Sequence, residues 1–289
     1  MSLHRAYITI ATNKKYLPGV MALHISLRQT GTSIPLYVML PSDLVRSEDA
    51  LCSKLKDNGI QIIEYSNSVN LPQQLIDNNK HQGELRFNHT FDKLLVFEQT
   101  QFDKIVYIID ADMYVLQNLD HLFEKPHMSA VVAGKEYPGN EHWIDLNSGL
   151  MVIVPEKGLS QKFSSIIPEV YDRKKWCGDQ DILQAYYEEW PERHELHLGE
   201  KYGVFANYAH YYESHLGYVY NDQIDAPKSV AILHFIGETK PWMQQWSPLS
   251  VLKQDLHLAT LKLIHKRNTT AALLEYKKLV RKARKILSH

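Results

Sequence analysis

Short apolar runs alternate with amphipathic segments along the first third of the chain. Three of these runs predict β-strands, at 6–12, 36–40 and 60–65. Two segments between them have apolar residues at helical spacing and predict helices, at 17–28 and from Ser47, a good N-cap, to Asn58. Strands that alternate with helices in this way imply right-handed crossovers and a largely parallel sheet.

The pattern changes in the middle of the chain. Residues 66–82 are polar and show no sustained period, so we expect a loop or lid there. The segment 88–100 has a helical apolar face and leads into Ile105–Ile109, a run typical of a strand buried on both faces. Later apolar runs predict further strands at 130–133, 150–154 and 229–235, and helices at 176–186 and after 261.

The buried strand ends in two carboxylates, Asp110 and Asp112, separated by Ala111. Open α/β sheets bind ligands at the carboxyl ends of their strands. Two adjacent carboxylates repel each other, and a Mg²⁺ or Mn²⁺ ion would relieve that repulsion while leaving positions for substrate phosphates. For an isolated Asp-x-Asp, however, a pair of solvated loop acids is the simpler interpretation. The first turn holds Thr12 and Asn13 without a glycine-rich loop, which argues against a dinucleotide fingerprint or a P-loop.

Composition narrows the class of protein. With 289 residues, 44% hydrophobic and 22% charged, the chain is predicted to form one globular domain at 1–250 with a basic helical segment at 251–289. The formal net charge of -1 gives no reason to expect a nucleic-acid partner. Cys52 and Cys177 are far apart, so neither a disulfide framework nor a zinc site is expected, and a cytoplasmic location fits best.

Three further polar groups follow apolar runs or precede helices. Asn147, Ser148 and Gly149 come before a predicted strand, Gly178 to Asp181 before a predicted helix, and His234 ends the strand at 229–235. Each group has an ordinary structural interpretation: a turn, a helix cap and a structural histidine. Taken alone, the structural interpretation is the better one for Asn-Ser-Gly and the usual one for a strand-end histidine, but small and amide residues also let a substrate approach the backbone.

In their order along the chain, these motifs resemble those of the retaining glycosyltransferase family that includes glycogenin, galactinol synthase and bacterial lipopolysaccharide sugar transferases. The similarity runs from Ala6 to about Trp242 and looks closest to the glycogenin branch. The motifs are TFDKL around Lys93, Asp-x-Asp at 110–112, Asn-Ser-Gly at 147–149, Gly-Asp-Gln at 178–180 and HFxGxxKPW at 234–242.

The resemblance implies an α/β structure of the GT-A type, a Rossmann-like fold with a mixed, mostly parallel central sheet flanked by helices and a helical C-terminal appendage. It also implies roles for individual residues. The metal would be held by Asp110, Asp112 and His234. Donor binding would use Thr12, Asn13, Tyr16, Arg86, Lys93, Ala111, Ser148, Gly149, Gly237 and Lys240. The catalytic candidates are Asp179, Asn147 and Gln180.

The activity implied is a Mn²⁺- or Mg²⁺-dependent retaining transfer of glucose, galactose or N-acetylglucosamine from a UDP-sugar to a glycan, a lipopolysaccharide or a small polyol. Negative charge would develop on the departing UDP, and Asp179 would stabilise the oxocarbenium-like sugar, covalently or by shielding a front-face substitution. The alternatives are a non-catalytic nucleotide-sugar or glycan-binding protein and a nucleotidyltransferase. Acceptor contacts are expected from 66–82 and from the tyrosine-rich stretch 202–220.

The end of the chain is strongly basic. Nine basic residues face one acid between Lys262 and Lys285, and an apolar helical face runs from Tyr276 to Leu287. A basic amphipathic helix can lie on the inner face of an anionic membrane. The alternative, given equal weight, is a solvated helix whose apolar face packs on its own domain or on a second subunit of a homodimer.

Overall fold

The fold was analysed in a computed structural model of the chain. It describes residues 4–66, 69, 71–81, 85–108, 111–132, 134–174, 177–221, 223, 226–237 and 239–288, without the side chains of 78–80 and 85–89. Asp110, one of the predicted metal ligands, lies outside the described residues, and the side chain of Arg86 is likewise outside the description.

A seven-stranded sheet forms the centre of the molecule, in the order β3-β2-β1-β4-β7-β6-β8. Its strands are β1 (Arg5–Ile10), β2 (Leu36–Pro41), β3 (Gln61–Tyr65), β4 (Lys104–Ile108), β6 (Ala130–Val132), β7 (Leu146–Ile153) and β8 (His197–Leu198). The first four strands are mutually parallel. Strand β7 runs antiparallel to both β4 and β6. The predicted mixed, mostly parallel sheet is confirmed.

A second sheet of three short strands lies beyond the end of β4, in the order β5-β10-β9. Its strands are β5 (Met113–Val115), β9 (Val204–Phe205) and β10 (Ile232–His234). Strand β5 begins directly after Asp112, and β10 pairs antiparallel with it so that His234 lies opposite Met113. This register brings two polar residues that are 122 positions apart in the sequence to the same place.

Alternating residues of the central strands face two separate cores, which explains why these strands are apolar throughout. In β4, Val106 and Ile108 belong to one core, and Ile105 and Tyr107 to the other. All four side chains are fully buried. Both faces of the sheet are therefore covered, and ligands can approach only at its edges and strand ends.

Nine α-helices cover these faces within the described residues. They are α1 (Leu17–Gln29), α2 (Ser42–Ser47), α3 (Asp49–Asp57), α4 (Gln73–His81), α5 (Leu159–Lys174), α6 (Asp179–Tyr186), α7 (Ala209–Leu216), α8 (Pro248–Leu263) and α9 (Thr269–Ser288). No helix in the described part of the chain is long and apolar enough to cross a membrane.

The C-terminal helix α9 packs against α1, α3, α7 and α8. Its apolar face, formed by Tyr276, Val280, Ala283 and Leu287, is buried in the same core as α1. The apolar face of α9 therefore packs on the protein's own domain, as one of the two alternatives predicted, and this face is not available to a membrane. The division at 250 remains a prediction, although α9 shares its core with the first 250 residues.

Four local predictions differ from the structure. Residues 66–82 contain α4, because Leu75 is buried in the core and anchors a helix that the polar composition conceals. Ser47 ends α2 instead of capping a longer helix, since Glu48 leaves the helical conformation at φ -123° and ψ 39°. The expected helix at 88–100 is a 3-10 helix, Leu85–Glu98. Asn147, Ser148 and Gly149 are not a turn but part of β7, where Asn147 pairs with Val131 of β6 and the next two residues lie in a register shift before Met151 pairs with Ala130.

Candidate functional site

Asp112 and His234 meet where β5 and β10 pair. His234 Nε2 lies 3.3 Å from Asp112 Oδ1, and both side chains are largely buried, with exposed fractions of 9% and 5%. The backbone continues the pairing beyond the strand ends, because Phe235 N donates to the carbonyl oxygen of Asp112 at 2.9 Å. Two of the three predicted metal ligands are thus held together by strand register.

Lys240 completes this cluster from the loop after β10. Its Nζ donates to Asp112 Oδ2 at 2.6 Å and to the carbonyl oxygen of Phe235 at 2.9 Å. Burial, the largest influence, opposes ionisation of Asp112, but His234 and Lys240 together outweigh it and lower the pKa of Asp112 to about 2. The carboxylate is consequently charged at neutral pH, although it is almost inaccessible to water.

The backbone between the two predicted carboxylates is strained. Ala111, which separates Asp110 from Asp112, has a φ of +55° and is fully buried. Its N–H donates to Thr9 Oγ1 at 3.2 Å, which fastens the turn to the end of β1. A non-glycine residue in the left-handed region costs about 1–3 kcal/mol and is found mainly where function requires it. This turn directs the chain from the large sheet into the small one.

Gly149 of β7 lies directly beside this cluster. A Cβ atom at position 149 would come within 2.6 Å of Asn147 Oδ1, 2.8 Å of Met113 Cε and 3.0 Å of His234 Cε1. Only a glycine can therefore occupy this point of the strand without displacing Met113 or His234. The predicted Asn-Ser-Gly segment is thereby placed against the predicted metal ligands.

Asp179 lies at the start of α6 and faces β7. Its Oδ1 accepts from Thr90 Oγ1 at 2.8 Å and lies 3.6 Å from Lys93 Nζ, and its Oδ2 accepts from Ser148 Oγ at 3.0 Å. A carboxylate that only capped its helix would accept from the backbone N–H groups of the first turn. Instead, side chains from two separate elements, the 3-10 helix Leu85–Glu98 and β7, hold Asp179 in place.

Gln180 connects the same helix to the same strand. Its Oε1 accepts from Asn147 Nδ2 and from the backbone N–H of Ser148, both at 3.1 Å. Asn147 Oδ1 in turn accepts from Gly149 N at 2.9 Å. The three catalytic candidates and the Asn-Ser-Gly segment therefore form one continuous hydrogen-bonded group.

The predicted uridine contacts lie at the end of β1. Asn13 caps the 3-10 helix Lys14–Tyr16 by accepting from Lys15 N at 3.0 Å, and Thr12 directly precedes it. The Tyr16 ring contacts the Trp242 ring edge-on, with centroids 6.0 Å apart. In the loop that carries Lys240, the exposed Gly237 has a φ of +98°, which favours glycine.

The donor atoms of this cluster fit a divalent cation. Among the described residues, Asp112 Oδ1 is buried without a hydrogen-bond partner, a costly arrangement that a bound cation beside His234 Nε2 would relieve. Carboxylate oxygen and imidazole nitrogen are both ligands of first-row divalent metals. In the described part of the chain, which lacks Asp110, no group of three metal-binding side chains occurs.

The structure also shows residues that the sequence analysis missed. Thr90 holds Asp179 and belongs to the TFDKL motif, so its position three residues before Lys93 was an available signal. Tyr276 had no such signal, because it lies in α9, 42 positions after His234. Its ring stacks on Phe235 at 4.4 Å and on Tyr114 at 5.0 Å, the residues that flank the metal-ligand candidates.

The chain was compared with known proteins. The family model described as glycosyl transferase family 8 matches residues 7–245. Glycogenin-1 of Caenorhabditis elegans is 29% identical over 247 residues, covering 83% of this chain and 51% of the relative. Inositol phosphorylceramide glucuronosyltransferase 1 of Arabidopsis thaliana is 31% identical over 187 residues, covering 64% and 30%. The chain thus spans about half, or less, of the length of these relatives.

Solved structures show the same fold. The galactosyltransferase LgtC, in complex with donor and acceptor sugar analogs, aligns with a TM-score of 0.54 and 18% identity, over 82% of this chain and 89% of its own. The glycosyltransferase GlyE of Streptococcus pneumoniae TIGR4 aligns with a TM-score of 0.54 and 16% identity, over 96% and 62%. The GT-A-type fold and the resemblance to glycogenin-like enzymes are both confirmed, and this chain belongs to glycosyl transferase family 8.

Proposed function

We propose that this glycosyltransferase is a divalent-metal-dependent, retaining hexosyltransferase that uses a UDP-sugar donor. One observation carries the proposal: at the junction of β5 and β10, the buried Oδ1 of Asp112 accepts no hydrogen bond from the described residues and lies 3.3 Å from His234 Nε2. A buried carboxylate oxygen that accepts no hydrogen bond is costly, and a bound ligand would remove that cost. Asp110, outside the described residues, would supply the third ligand.

A metal ion and Lys240 would both stabilise the negative charge of the leaving group. When the sugar departs, negative charge develops on the diphosphate, and a bound Mn²⁺ would stabilise it as a Lewis acid. Lys240 supplies a second positive charge from the same cluster, and the backbone N–H of the exposed Gly237 would donate to a phosphate oxygen. The uridine would lie towards Thr12, Asn13 and Tyr16, as the resemblance implies.

The positive charge that develops on the sugar requires a carboxylate held in place beforehand. Asp179 meets this requirement, because Thr90, Ser148 and Lys93 fix both of its oxygens before any substrate binds. Preorganised charge of this kind costs no rearrangement in the transition state. Asn147 and Gln180 brace the strand that carries Ser148 and offer amide groups to the sugar hydroxyls.

The acceptor would approach from the tyrosine-rich side. Phe205 lies 5.7 Å from the His234 ring and 5.7 Å from the Tyr137 ring, and Tyr137 stacks on Tyr208 at 4.7 Å with nearly parallel planes. Tyr208 remains 41% exposed. A flat aromatic pair next to the metal-ligand candidates suits a pyranose ring, which favours a glycan acceptor over a small polyol.

The experiment is a panel of UDP-glucose, UDP-galactose, UDP-N-acetylglucosamine and UDP-glucuronate, assayed for slow UDP release with and without Mn²⁺. We expect release from at least one donor that requires the metal. In Asp112→Asn, the Mn²⁺-dependent affinity for UDP should fall by at least about tenfold, a loss seen even for residues that only support metal ligands. Asp57→Asn, an exposed acid at the end of α3, is the matched control.

Other outcomes would contradict the proposal. Metal-dependent binding of UDP without release from any donor would identify a nucleotide-sugar-binding protein. Release of pyrophosphate from UTP in the presence of a sugar phosphate would identify a nucleotidyltransferase. Unchanged Mn²⁺-dependent UDP affinity in Asp112→Asn would remove this cluster from metal binding. The configuration of the product at its anomeric carbon, measured by NMR, tests retention separately.

A further inference from the structure

Helix α8 exposes a stripe of leucines. Leu249, Leu252, Leu256 and Leu263 are 62%, 55%, 60% and 81% exposed, and Ile264 directly after the helix is 60% exposed. The four leucines are spaced by three, four and seven residues, which places them on one side of the helix. This stripe, with Ile264, is hereafter called the leucine stripe.

The opposite side of α8 is anchored to the protein. Leu258 and Leu261 are buried and pack with Ala271 of α9 in a small core of their own. Arg281 of α9 also contacts Asp255 of α8. The helix is therefore held in an orientation that turns the leucine stripe outward. Contiguous exposed apolar surface of this kind marks an interaction site more often than a scattered leucine does.

Basic residues are concentrated in the C-terminal part of the chain, which carries the leucine stripe. From position 243 to the end, the chain has ten basic and two acidic residues, whereas the first 242 residues have 22 basic and 31 acidic ones. Lys253 is exposed on α8 itself, close to the apolar side, and Lys266 is exposed in the turn that follows Ile264. Positive charge is thus concentrated in the segment that carries the leucine stripe, where Lys262 and Arg281 pair with Glu275 and Asp255, while the first 242 residues are net acidic.

A cavity opens at the same end of α8. It has a volume of about 390 Å³ and lies between β5 and the turn that joins α8 to α9. Lys262, His265, Lys266 and Arg267 line it. Lys262, which pairs with Glu275 in the same lining, directly precedes Leu263, and the other three basic groups follow Ile264, so a ligand with a phosphate and an apolar tail would meet both features.

We infer that α8 and the turn after it dock this protein on an anionic lipid surface. The leucine stripe enters the boundary between headgroups and acyl chains, and the surrounding lysines and arginines meet the lipid phosphates. A second copy of the chain fits this surface poorly, because a two-fold contact between two stripes would bring two strongly basic segments together. The surface is distinct from the apolar face of α9, which is buried.

The test measures co-sedimentation of the intact protein with vesicles of equal parts phosphatidylglycerol and phosphatidylcholine, and with vesicles of phosphatidylcholine alone. We expect binding to the anionic vesicles that weakens as salt is raised, because screening shortens the reach of the charges to about 10 Å at 0.1 M. Leu252→Gln combined with Leu256→Gln should reduce the affinity by roughly tenfold or more, since each leucine side chain loses its transfer from water.

Matched variants separate the contribution of apolar contact from that of electrostatic attraction to the lipid. Ile144→Gln removes an apolar side chain that is 52% exposed elsewhere on the protein and should leave vesicle binding unchanged. Lys253→Glu with Lys266→Glu should remove the preference for anionic vesicles. All substituted side chains are exposed, so the melting temperature should stay the same and confirm that each variant is folded.

Three results would overturn the inference. One is equal binding of the parent and the double-leucine variant, and another is equal binding to anionic and neutral vesicles. The third is a stable dimer in light scattering that the double-leucine variant dissociates, because the stripe would then be a subunit interface. None of these measurements uses a sugar donor, so their failure would leave the proposed transferase activity untouched.

Discussion

Gly19 and Trp242 provide a sharp test of how the site is supported. Gly19 lies in the first turn of α1, and a Cβ atom there would come within 2.7, 2.8 and 2.9 Å of three atoms of the Trp242 ring. Trp242 is only 3% exposed, so its ring has little room to move away. Its position two residues after Lys240, with the Tyr16 ring beside it, ties this contact to the predicted donor site.

Two opposing effects determine the result of Gly19→Ala. Replacing glycine by alanine inside a helix usually stabilises the protein by up to about 1 kcal/mol. Forcing one methyl group into a close-packed site usually destabilises it by about 1–3 kcal/mol, because side chains or backbone must shift. Because the contacts to a rigid, buried ring are shorter than 3.0 Å, we expect the overpacking cost at this site to lie at the upper end of that range. We therefore expect a net loss of about 1–2 kcal/mol in the free energy of unfolding.

The measurement is urea denaturation of the parent, Gly19→Ala, Trp242→Phe and the double variant. Phenylalanine removes the ring atoms that clash, so the double variant should lose less than the sum of the single losses, with a coupling of about 1 kcal/mol. Gly199→Ala is the matched control, because a Cβ atom at 199 meets nothing within 4 Å. Stabilisation by Gly19→Ala, or additive single effects, would refute the reasoning. UDP affinity should fall in Gly19→Ala but not in Gly199→Ala.

Three further predictions concern the protonation of His24, the role of Asp179 in turnover and the packing of Tyr276 on Phe235. Burial, followed by the charge of Arg28, lowers the pKa of His24 from 6.5 to about 4. Between pH 6.5 and 4 the unfolded chain then binds more protons than the folded chain. The free energy of unfolding should therefore decrease as the pH is lowered through that window, by at most about 3 kcal/mol. In thermal melts, His24→Gln should flatten this pH dependence. Asp179→Asn should lower turnover by roughly tenfold or more and change donor affinity little, since its interaction strengthens as positive charge develops; equal turnover would exclude it. Tyr276→Leu should weaken Mn²⁺-dependent UDP binding by displacing Phe235, whereas Tyr276→Phe should preserve it.

The elements of the central sheet were largely predictable from the sequence. Runs such as Ile105–Ile108 are apolar at every position, and only a strand covered on both faces buries all of them. The regular alternation of strand and helix then required parallel pairing for the first four strands. Local pattern was misleading where tertiary contacts outweighed it. Asn147 and Gly149 are residue types common in turns, yet both belong to β7, where Asn147 pairs with Val131 of β6.

The residue types of the site were likewise visible in the sequence, as an ordered series of short motifs from Asn13 to Lys240. Their mutual arrangement was not, because contacts between distant residues leave no periodic signal. The strand register opposite Met113 decided that His234 meets Asp112. Side chains from two elements, the 3-10 helix Leu85–Glu98 and β7, decided that Asp179 faces β7 and does not cap α6.

The basic C-terminal segment likewise has some features that the sequence predicts and others that only tertiary packing decides. Its charge and its amphipathic helices follow from the sequence alone, because both depend only on residue type and spacing. Which apolar face is covered depends on what the rest of the chain presents to it. The structure buries the face of α9 that includes Tyr276 against α1 and leaves the leucine stripe of α8 outside. Both faces are apolar at helical spacing, and only packing against a neighbouring element distinguishes a core face from a docking surface.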